Sequence, residues 1–229
     1  MNYEILHQDA FPIIQCDLNA GETLKAEADA MISMTQNLDI SGSTGDGGVL
    51  GALARKFLTG ESFFFQTIKA TRGAGRVLLG HSAPGGIIDV ELDGNYGLRV
   101  QKDGFLAATE GVQVDTATQN LMQGLFSREG FFVLNIRGRG TVFLSSFGAI
   151  HTISLAENEE VIIDNGHLVA WPDYMKYKIE KASNGWLSSM MSGECLVCRF
   201  RGPGVVLIQT RNPDSFKFWL QSMGVQMGN

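Results

Sequence analysis

Arg137-Gly138-Arg139-Gly140-Thr141-Val142-Phe143-Leu144 is the middle one of three similar stretches in this chain. The other two are Arg72-Gly73-Ala74-Gly75-Arg76-Val77-Leu78-Leu79 and Arg201-Gly202-Pro203-Gly204-Val205-Val206-Leu207-Ile208. They begin at residues 72, 137 and 201, so the successive offsets are 65 and 64 residues. In each stretch a Gly-x-Gly turn signal precedes an apolar triplet. This regularity predicts three diverged copies of a unit of about 65 residues.

Three further patterns recur upstream of each stretch. Apolar residues spaced as i, i+1, i+4 and i+5 predict short helices at 53–58, 121–126 and 186–191. An apolar strand follows each predicted helix, at 63–68, 131–136 and 195–200. Another strand-like segment opens each unit, at 30–33, 104–107 and 166–170. Each unit is therefore predicted to contain mostly strands with a short helix between them.

The repetition predicts a mostly β fold in a single globular domain, 1–229, with internal units at approximately 1–90, 91–154 and 155–229. Glycine reaches positive φ cheaply, so the Gly-x-Gly turns are predicted at hairpin tips. Three apolar sheet faces are then expected to pack in a pseudo-threefold arrangement around one shared core. The residues 41–48, rich in glycine, are predicted to form the most flexible loop.

A C-terminal helix is predicted from apolar residues at i, i+3, i+4 and i+7, with Asp214 or Ser215 as its cap. These apolar residues are Phe216, Trp219, Leu220 and Met223. We expect this helix to dock onto the sheets by its apolar face.

Composition narrows the classes of function. The chain has 18 Lys and Arg against 24 Asp and Glu, a net charge of −6, which disfavours binding to nucleic acid. No apolar stretch reaches the roughly 18 residues that a transmembrane helix needs. The first residues lack the basic head and apolar run of a targeting segment, and three cysteines are an odd number, so we predict a cytoplasmic protein.

The sequence predicts neither a cofactor nor a metal. Cys195 and Cys198 lie three apart in a predicted strand and so point to opposite faces, which favours structural cysteines over a redox or metal pair. The histidines are scattered, without the close spacing that a facial metal site requires. They are His7, His81, His151 and His167.

The charges that recur in each unit are the candidate contact residues. A pseudo-threefold fold would bring Arg72, Arg137 and Arg201 to matching places, and likewise Glu61, Glu129 and Glu194. One interpretation is that each pairs locally in solvent. The other is that one set converges on a ligand, an anion for the arginines or a cation for the glutamates. Arg55 lies in a predicted helix at 49–58 that either packs on the sheet or contacts a partner or a membrane surface.

One long segment resembles a known family. Residues 47–64, Gly-Gly-Val-Leu-Gly-Ala-Leu-Ala-Arg-Lys-Phe-Leu-Thr-Gly-Glu-Ser-Phe-Phe, are similar to a stretch of the altered-inheritance-of-mitochondria family. Further similarity lies at 21–27, at Pro84-Gly85 and at 202–210. The resemblance implies a double-stranded β-helix-like fold, grouped with the tryptophan RNA-binding attenuation protein. It also implies a prokaryotic branch without an established activity, and it transfers no catalytic residues.

Two functions follow as expectations. The first is a non-catalytic binding or scaffolding protein, with a protein partner or self-association through exposed sheet edges. The second is a small-molecule binder or enzyme that uses a pocket between the β units. A cleft lined by titratable groups would favour the second function, and a flat surface over filled cores would favour the first.

Overall fold

The computed structural model describes residues 1–43, 65–116, 133–181 and 196–226 of the chain. Within these ranges the chain is mostly β, with eighteen strands and one α-helix, α1, at Pro213–Ser222. The strands are β1 Asn2–Leu6, β2 Ile13–Leu18, β3 Thr23–Glu27, β4 Met31–Met34, β5 Leu38–Ser43, β6 Phe65–Ala70, β7 Gly75–Leu79, β8 Ile87–Asp93, β9 Leu98–Gln101, β10 Phe105–Thr109, β11 Val112–Thr116, β12 Val133–Ser145, β13 Ile150–Leu155, β14 Glu160–Asp164, β15 Leu168–Pro172, β16 Lys176–Lys181, β17 Leu196–Arg201 and β18 Gly204–Gln209. Short 3₁₀ turns at Lys102–Gly104 and Asn165–His167 lead into β10 and β15.

The strands form three open sheets. The four-stranded sheet has the order β1-β2-β7-β4, and the three-stranded sheet has the order β14-β17-β16. The largest sheet runs β13-β18-β15-β9-β12-β10-β3-β6-β5, and β8 and β11 also pair with β12. Neighbouring strands are antiparallel throughout.

One pairing pattern occurs in three successive blocks of the chain. In the first block β2 and β4 pair with β7, while β3 and β5 pair with β6. In the second block β8 and β10 pair with the second half of β12, while β9 and β11 pair with its first half. In the third block β13 and β15 pair with β18, while β14 and β16 pair with β17. Six strand segments per block therefore make two half-sheets.

The prediction of hairpin tips at the Arg-Gly-x-Gly stretches is wrong. β6 and β7, which flank the first stretch, lie in different sheets, and so do β17 and β18 around the third. In the second block the stretch lies inside the single strand β12. Gly73 and Gly138 have φ of 113° and 114°, a conformation that glycine adopts cheaply. Here positive φ bends a strand so that the chain passes from one half-sheet to the other.

The apolar side chains form three clusters, whereas the sequence predicts one shared core. Ile14, Leu24 and Ile68 belong to the first cluster, Phe105 to the second and Trp171 to the third. The blocks meet edge to edge, through β3 pairing with β10 and β9 pairing with β15. The clusters cross these joins, since Phe143 of β12 lies in the first cluster and Phe65 of β6 lies in the second.

The C-terminal helix forms where the sequence predicts it, but its cap and its packing differ. The side chain of Asn212 accepts hydrogen bonds from the backbone N–H groups of Asp214 and Ser215, so Asn212 is the N-cap. None of the residues of α1 is buried. Phe216 contacts Phe147 with ring centroids 5.2 Å apart, and this contact anchors the start of the helix.

Candidate interaction surfaces

The three arginines of the repeated motif each bind an acceptor close by. Arg137 and Arg201 are strand residues, whereas Arg72 follows the end of β6. The acceptors are Asp39 for Arg72, at 2.7 Å, Asp173 for Arg137, at 2.9 Å, and Asn158 for Arg201, at 2.5 Å. The side chains of Arg72 and Arg137 are more than half exposed, at 54% and 69%. Local pairing thus accounts for each arginine, and all three stay accessible to a partner.

Asp173 connects the second and third blocks. It follows β15, and its carboxylate accepts hydrogen bonds from the Arg137 guanidinium and from the backbone N–H of Gly97. The N–H of Asp173 in turn donates to the carbonyl oxygen of Gly97 at 2.8 Å. The side chain of Asp173 is only 17% exposed. This part of the junction between the blocks is therefore closed by hydrogen bonds and an ion pair.

Several predicted residues lie outside the described ranges. They are Glu61, Glu129, Glu194, Arg55 and Cys195, together with the helices predicted at 49–58, 121–126 and 186–191. Most of the glycine-rich loop predicted at 41–48 also lies there.

Cys16 and Cys198 are fully buried in the first and third clusters. Burial, together with the smaller effect of the neighbouring carboxylates Asp17 and Asp164, raises the pKa of each thiol to about 12. A thiol with this pKa stays protonated at neutral pH and is a poor nucleophile or metal ligand. The described cysteines therefore act as small apolar core residues.

Two of the histidines have a polar atom close to the ring. The ring Nδ1 of His167 lies 2.7 Å from the carbonyl oxygen of Gln209, and Nδ1 of His81 lies 3.5 Å from a carboxylate oxygen of Glu27. In the part of the chain that the structure describes, no three His, Cys, Asp or Glu side chains are grouped closely enough to hold a metal ion.

A shallow groove runs beside β2. Arg76 lines it and forms an ion pair with Asp17, with Nε 2.6 Å from Oδ1. The hydrogen bond from Arg76 lowers the pKa of Asp17. Both side chains are about half exposed, so solvent screens the ion pair and it adds little to stability.

Two of the outer strands carry exposed apolar side chains. β4 is the outer strand of the four-stranded sheet, and β14 is the outer strand of the three-stranded sheet. Within the described ranges β4 pairs only with β7, and β14 pairs only with β17. Met31, Ile32 and Met34 on β4 are 36%, 55% and 38% exposed, and Ile162 on β14 is 41% exposed. These open edges carry apolar side chains as well as free backbone hydrogen-bonding groups.

β10 and β15 hold the place in their blocks that β4 holds in the first block. The first four residues of β10 and all five of β15 are buried, whereas all four residues of β4 are exposed. β10 and β15 each pair with a strand of the preceding block as well as with their own. Among the described strands β4 has no such second neighbour, which accounts for its different exposure.

The C-terminal segment presents a second apolar surface. Phe218, Trp219 and Met223 are 59%, 54% and 56% exposed, and Val225 is also exposed. The ring of Trp219 stacks on that of Phe216, with centroids 5.6 Å apart. Contiguous aromatic exposure of this kind is typical of a surface that binds another macromolecule.

The sequence analysis missed β14 and the exposure of β4. It recognised a strand at 30–33, close to β4, but apolar composition alone gave no sign that this strand is exposed. The run Val161-Ile162-Ile163 was the available signal for a strand at β14. That both strands are sheet edges follows only from the order of the strands.

These features define an open, multi-sheet β protein with one C-terminal helix and with apolar sheet edges. The chain belongs to the mitochondrial biogenesis AIM24 family, which matches residues 3–211. This match confirms the family that residues 47–64 indicate.

Two relatives show how far the likeness extends. The chain is 32% identical over 222 residues to an uncharacterized protein of Streptococcus pyogenes serotype M6, with 94% of this chain and 88% of that protein covered. It is also similar to a crystal structure of a protein from Streptococcus pyogenes. The TM-score is 0.80 at 31% identity, with 97% of this chain and 99% of the other covered. The family relation thus extends over almost the whole chain without assigning an activity.

No helix in the described ranges is long and apolar enough to cross a lipid bilayer.

Proposed function

We propose that this protein is a non-catalytic scaffolding protein that binds other proteins through the apolar surfaces its fold leaves exposed. The observation that carries the proposal is the position of those surfaces. Three apolar residues of β4 and four apolar residues between 218 and 225 are exposed, although most large apolar side chains of the described chain are buried in three clusters. Exposed apolar area on this scale is a feature of protein interfaces.

The face of α1 is the proposed site for a protein partner. Phe218 and Trp219 supply large, rigid apolar area, which is the kind of side chain that dominates binding energy at interfaces. Lys217 and Asp214 lie on the same helix and give its rim one charge of each sign. This composition fits an apolar groove on a partner protein. A helix that binds an anionic surface would carry several basic residues.

The proposed architecture for this scaffold is three copies of one double-stranded β-helix-like unit in a pseudo-threefold arrangement. The units span approximately residues 1–90, 91–154 and 155–229 within a single domain. The strand pairing that recurs in the three blocks supports this proposal. So do the two junctions, since in both of them the third strand of one block pairs with the second strand of the block before it. The location that we propose for the protein is the cytoplasm.

The repeated charges are proposed as additional contact residues. The exposure of Arg72, Arg137 and Arg201 supports this role for the arginines. Glu61, Glu129, Glu194 and Arg55 are proposed on their sequence positions alone.

The test of the scaffolding function is capture of partners by a tagged full-length chain in its native cells. The wild-type chain is compared with a variant that carries Phe218→Ser and Trp219→Ser. Tyr174→Ser is the matched control, because Tyr174 is a 60% exposed aromatic residue away from α1. We expect the wild-type and control chains to retain at least one protein that the α1 variant loses. Identical sets of proteins from all three chains would show that α1 is not the binding site.

A further inference from the structure

We propose that β4 of one copy of this chain pairs antiparallel with β14 of a second copy, so that the protein assembles head to tail. This inference deepens the proposed scaffolding function, since it makes a second copy one of the partners. It rests on the two junctions inside the chain, where β10 pairs antiparallel with β3 and β15 pairs antiparallel with β9. In both junctions the third strand of one block adds to the second strand of the block before it.

The third junction of this type is missing within the described chain, and its two halves are the open edges. β4 is the third strand of the first block, and β14 is the second strand of the third block. The half-sheet ending at β4 has the order β2-β7-β4, and the half-sheet beginning at β14 has the order β14-β17-β16. Joined, they give the same six-strand order as β8-β12-β10 next to β3-β6-β5.

The third strands of the blocks share a common irregularity that aligns them. In each of them the register against the neighbouring strand shifts once, between Met31 and Ser33 in β4, between Phe105 and Ala107 in β10, and between Leu168 and Ala170 in β15. Ser33, Ala107 and Ala170 therefore occupy corresponding positions. The backbone of β4 thus has the shape that supports a second neighbour in β10 and β15.

The register of the proposed pair follows from the two existing junctions. Ala107 lies opposite Ala26, and Ala170 lies opposite Val100. Ala26 and Val100 are the last buried residues of their strands, and Ile163 is the last buried residue of β14.

Ile163 of one copy therefore lies opposite Ser33 of the next. One step along the antiparallel pair, Ile162 lies opposite Met34, and Val161 lies opposite Thr35. The pairing covers the 41% exposed side chain of Ile162 with the 38% exposed side chain of Met34. Direct opposition of two apolar side chains stabilises an antiparallel pair, in addition to the backbone hydrogen bonds that the edges gain.

The contact is heterologous, because β4 and β14 are different surfaces of the chain. After the first contact one copy still has a free β14 and the other still has a free β4. Assembly therefore continues until the rotation between copies closes a ring, or it continues as an open filament.

Disulfide trapping tests the register directly. Met34→Cys and Ile162→Cys are made in separate chains, each in a Cys195→Ser background, because Cys16 and Cys198 are buried. Cβ atoms directly opposite each other in an antiparallel pair lie about 4.5–5.5 Å apart, which small adjustments bring within disulfide range. We expect mild oxidation to link the two chains when they are mixed and to leave each chain unlinked on its own.

Three results overturn the proposal. If either chain on its own forms disulfide-linked dimers as readily as the mixture does, the contact is symmetric. An internal disulfide in a chain carrying both cysteines, at the mass of a single chain, would indicate that β14 closes onto β4 of the same molecule. No linkage in the mixture would show that the edges do not meet.

A charge series gives a second readout on the same pair of positions. We expect the wild-type chain to sediment as a species heavier than a single chain and the Met34→Lys, Ile162→Lys chain to lose that species. Met34→Lys combined with Ile162→Glu places opposite charges together and is expected to restore it. Tyr174→Lys is the control that leaves the mass unchanged, because Tyr174 is 60% exposed and lies on neither strand.

The outcomes also separate this inference from the proposed function. A wild-type chain that sediments as a monomer at all concentrations overturns the assembly, whether or not α1 still captures a partner. A chain that assembles but shows no partner dependent on α1 supports the assembly and removes that binding site.

Discussion

Asp173 is the residue on which the join between the second and third blocks depends most. Its carboxylate accepts from both the Arg137 guanidinium and the Gly97 amide, and its own amide donates back to Gly97. The two members of the ion pair differ in exposure. Arg137 is exposed to solvent, whereas Asp173 is largely enclosed. One carboxylate thus satisfies a backbone donor at a junction where two chain segments meet, and its loss leaves that donor without its partner.

We expect Asp173→Ala to destabilise the protein more than Arg137→Ala does. The first change removes the acceptor of the Gly97 amide, a loss of about 1–3 kcal/mol. The second removes an exposed ion pair, a loss of about 0–1 kcal/mol. Urea unfolding of the two variants beside the wild-type chain measures the difference. Equal destabilisation by the two variants would mean that the ion pair, and not the backbone contact, dominates.

The burial of Cys16 and Cys198 gives a prediction about their reactivity. Because the pKa of each thiol is raised to about 12, both are protonated at pH 8 and closed off from solvent. In a Cys195→Ser chain we expect no reaction with a chromogenic disulfide reagent while the protein is folded. Two thiols should react once it is unfolded in guanidinium. Fast labelling of the folded chain would show that one of these clusters opens readily.

At the scale of elements, the strand crossings organise the fold. β12 runs from one half-sheet to the other without a break, because Gly138 and Gly140 bend it at φ of 114° and 138°. The bend also brings β12 against the turn before β11. A Cβ atom on Gly138 would lie 2.2 Å from the carbonyl oxygen of Gly111. Both conformation and space therefore require glycine at this point.

Gly138→Ala is expected to destabilise the protein by at least about 2 kcal/mol. The new Cβ must adopt a left-handed φ and must also push apart two backbone segments. Gly42→Ala is the matched control, because Gly42 is also a strand glycine and a Cβ there meets nothing within 4 Å. Thermal unfolding of the two variants provides the comparison. A Gly138→Ala chain as stable as the control would show that the crossing relaxes at no cost.

At the scale of the whole molecule, the sequence predicted the content of the blocks better than their connections. The strands expected at 63–68 and 195–200 lie within two residues of β6 and β17, since apolar patterns and turn signals are local. Glycine at positive φ suits a hairpin tip and a strand crossing equally well, so the sequence could not distinguish them. Whether the glycines lie at a hairpin tip or at a crossing between half-sheets depends on the pairing of strands that are distant in sequence.

The exposed edge is unpredictable from sequence for the same physical reason. Three of the four residues of Met31-Ile32-Ser33-Met34 are apolar, and all four of Phe105-Leu106-Ala107-Ala108 are, so both segments read as buried strands. The second segment is buried because β3 of another block lies beside it, and the first is exposed because no described strand does. The candidate contact surface is thus a property of how the blocks are arranged and not of its own residues.

Three separate apolar clusters predict that the molecule loses structure one cluster at a time. Trp171, Tyr177 and Phe200 pack ring against ring in the third cluster, with centroids 5.2 to 5.6 Å apart. Phe200→Ala removes one of these rings, a loss of about 3–5 kcal/mol that falls on the third cluster.

Hydrogen exchange followed by mass spectrometry measures where protection is lost in the Phe200→Ala chain. We expect amides of β16 and β17 to exchange faster by orders of magnitude while those of β2 and β7 keep the protection of the wild-type chain. The reason is that β2 and β7 enclose the first cluster, which shares no residue with the third. Equal loss of protection in all three blocks would mean that the edge pairings couple them into one cooperative unit. The blocks would then fold together although their apolar side chains form three clusters.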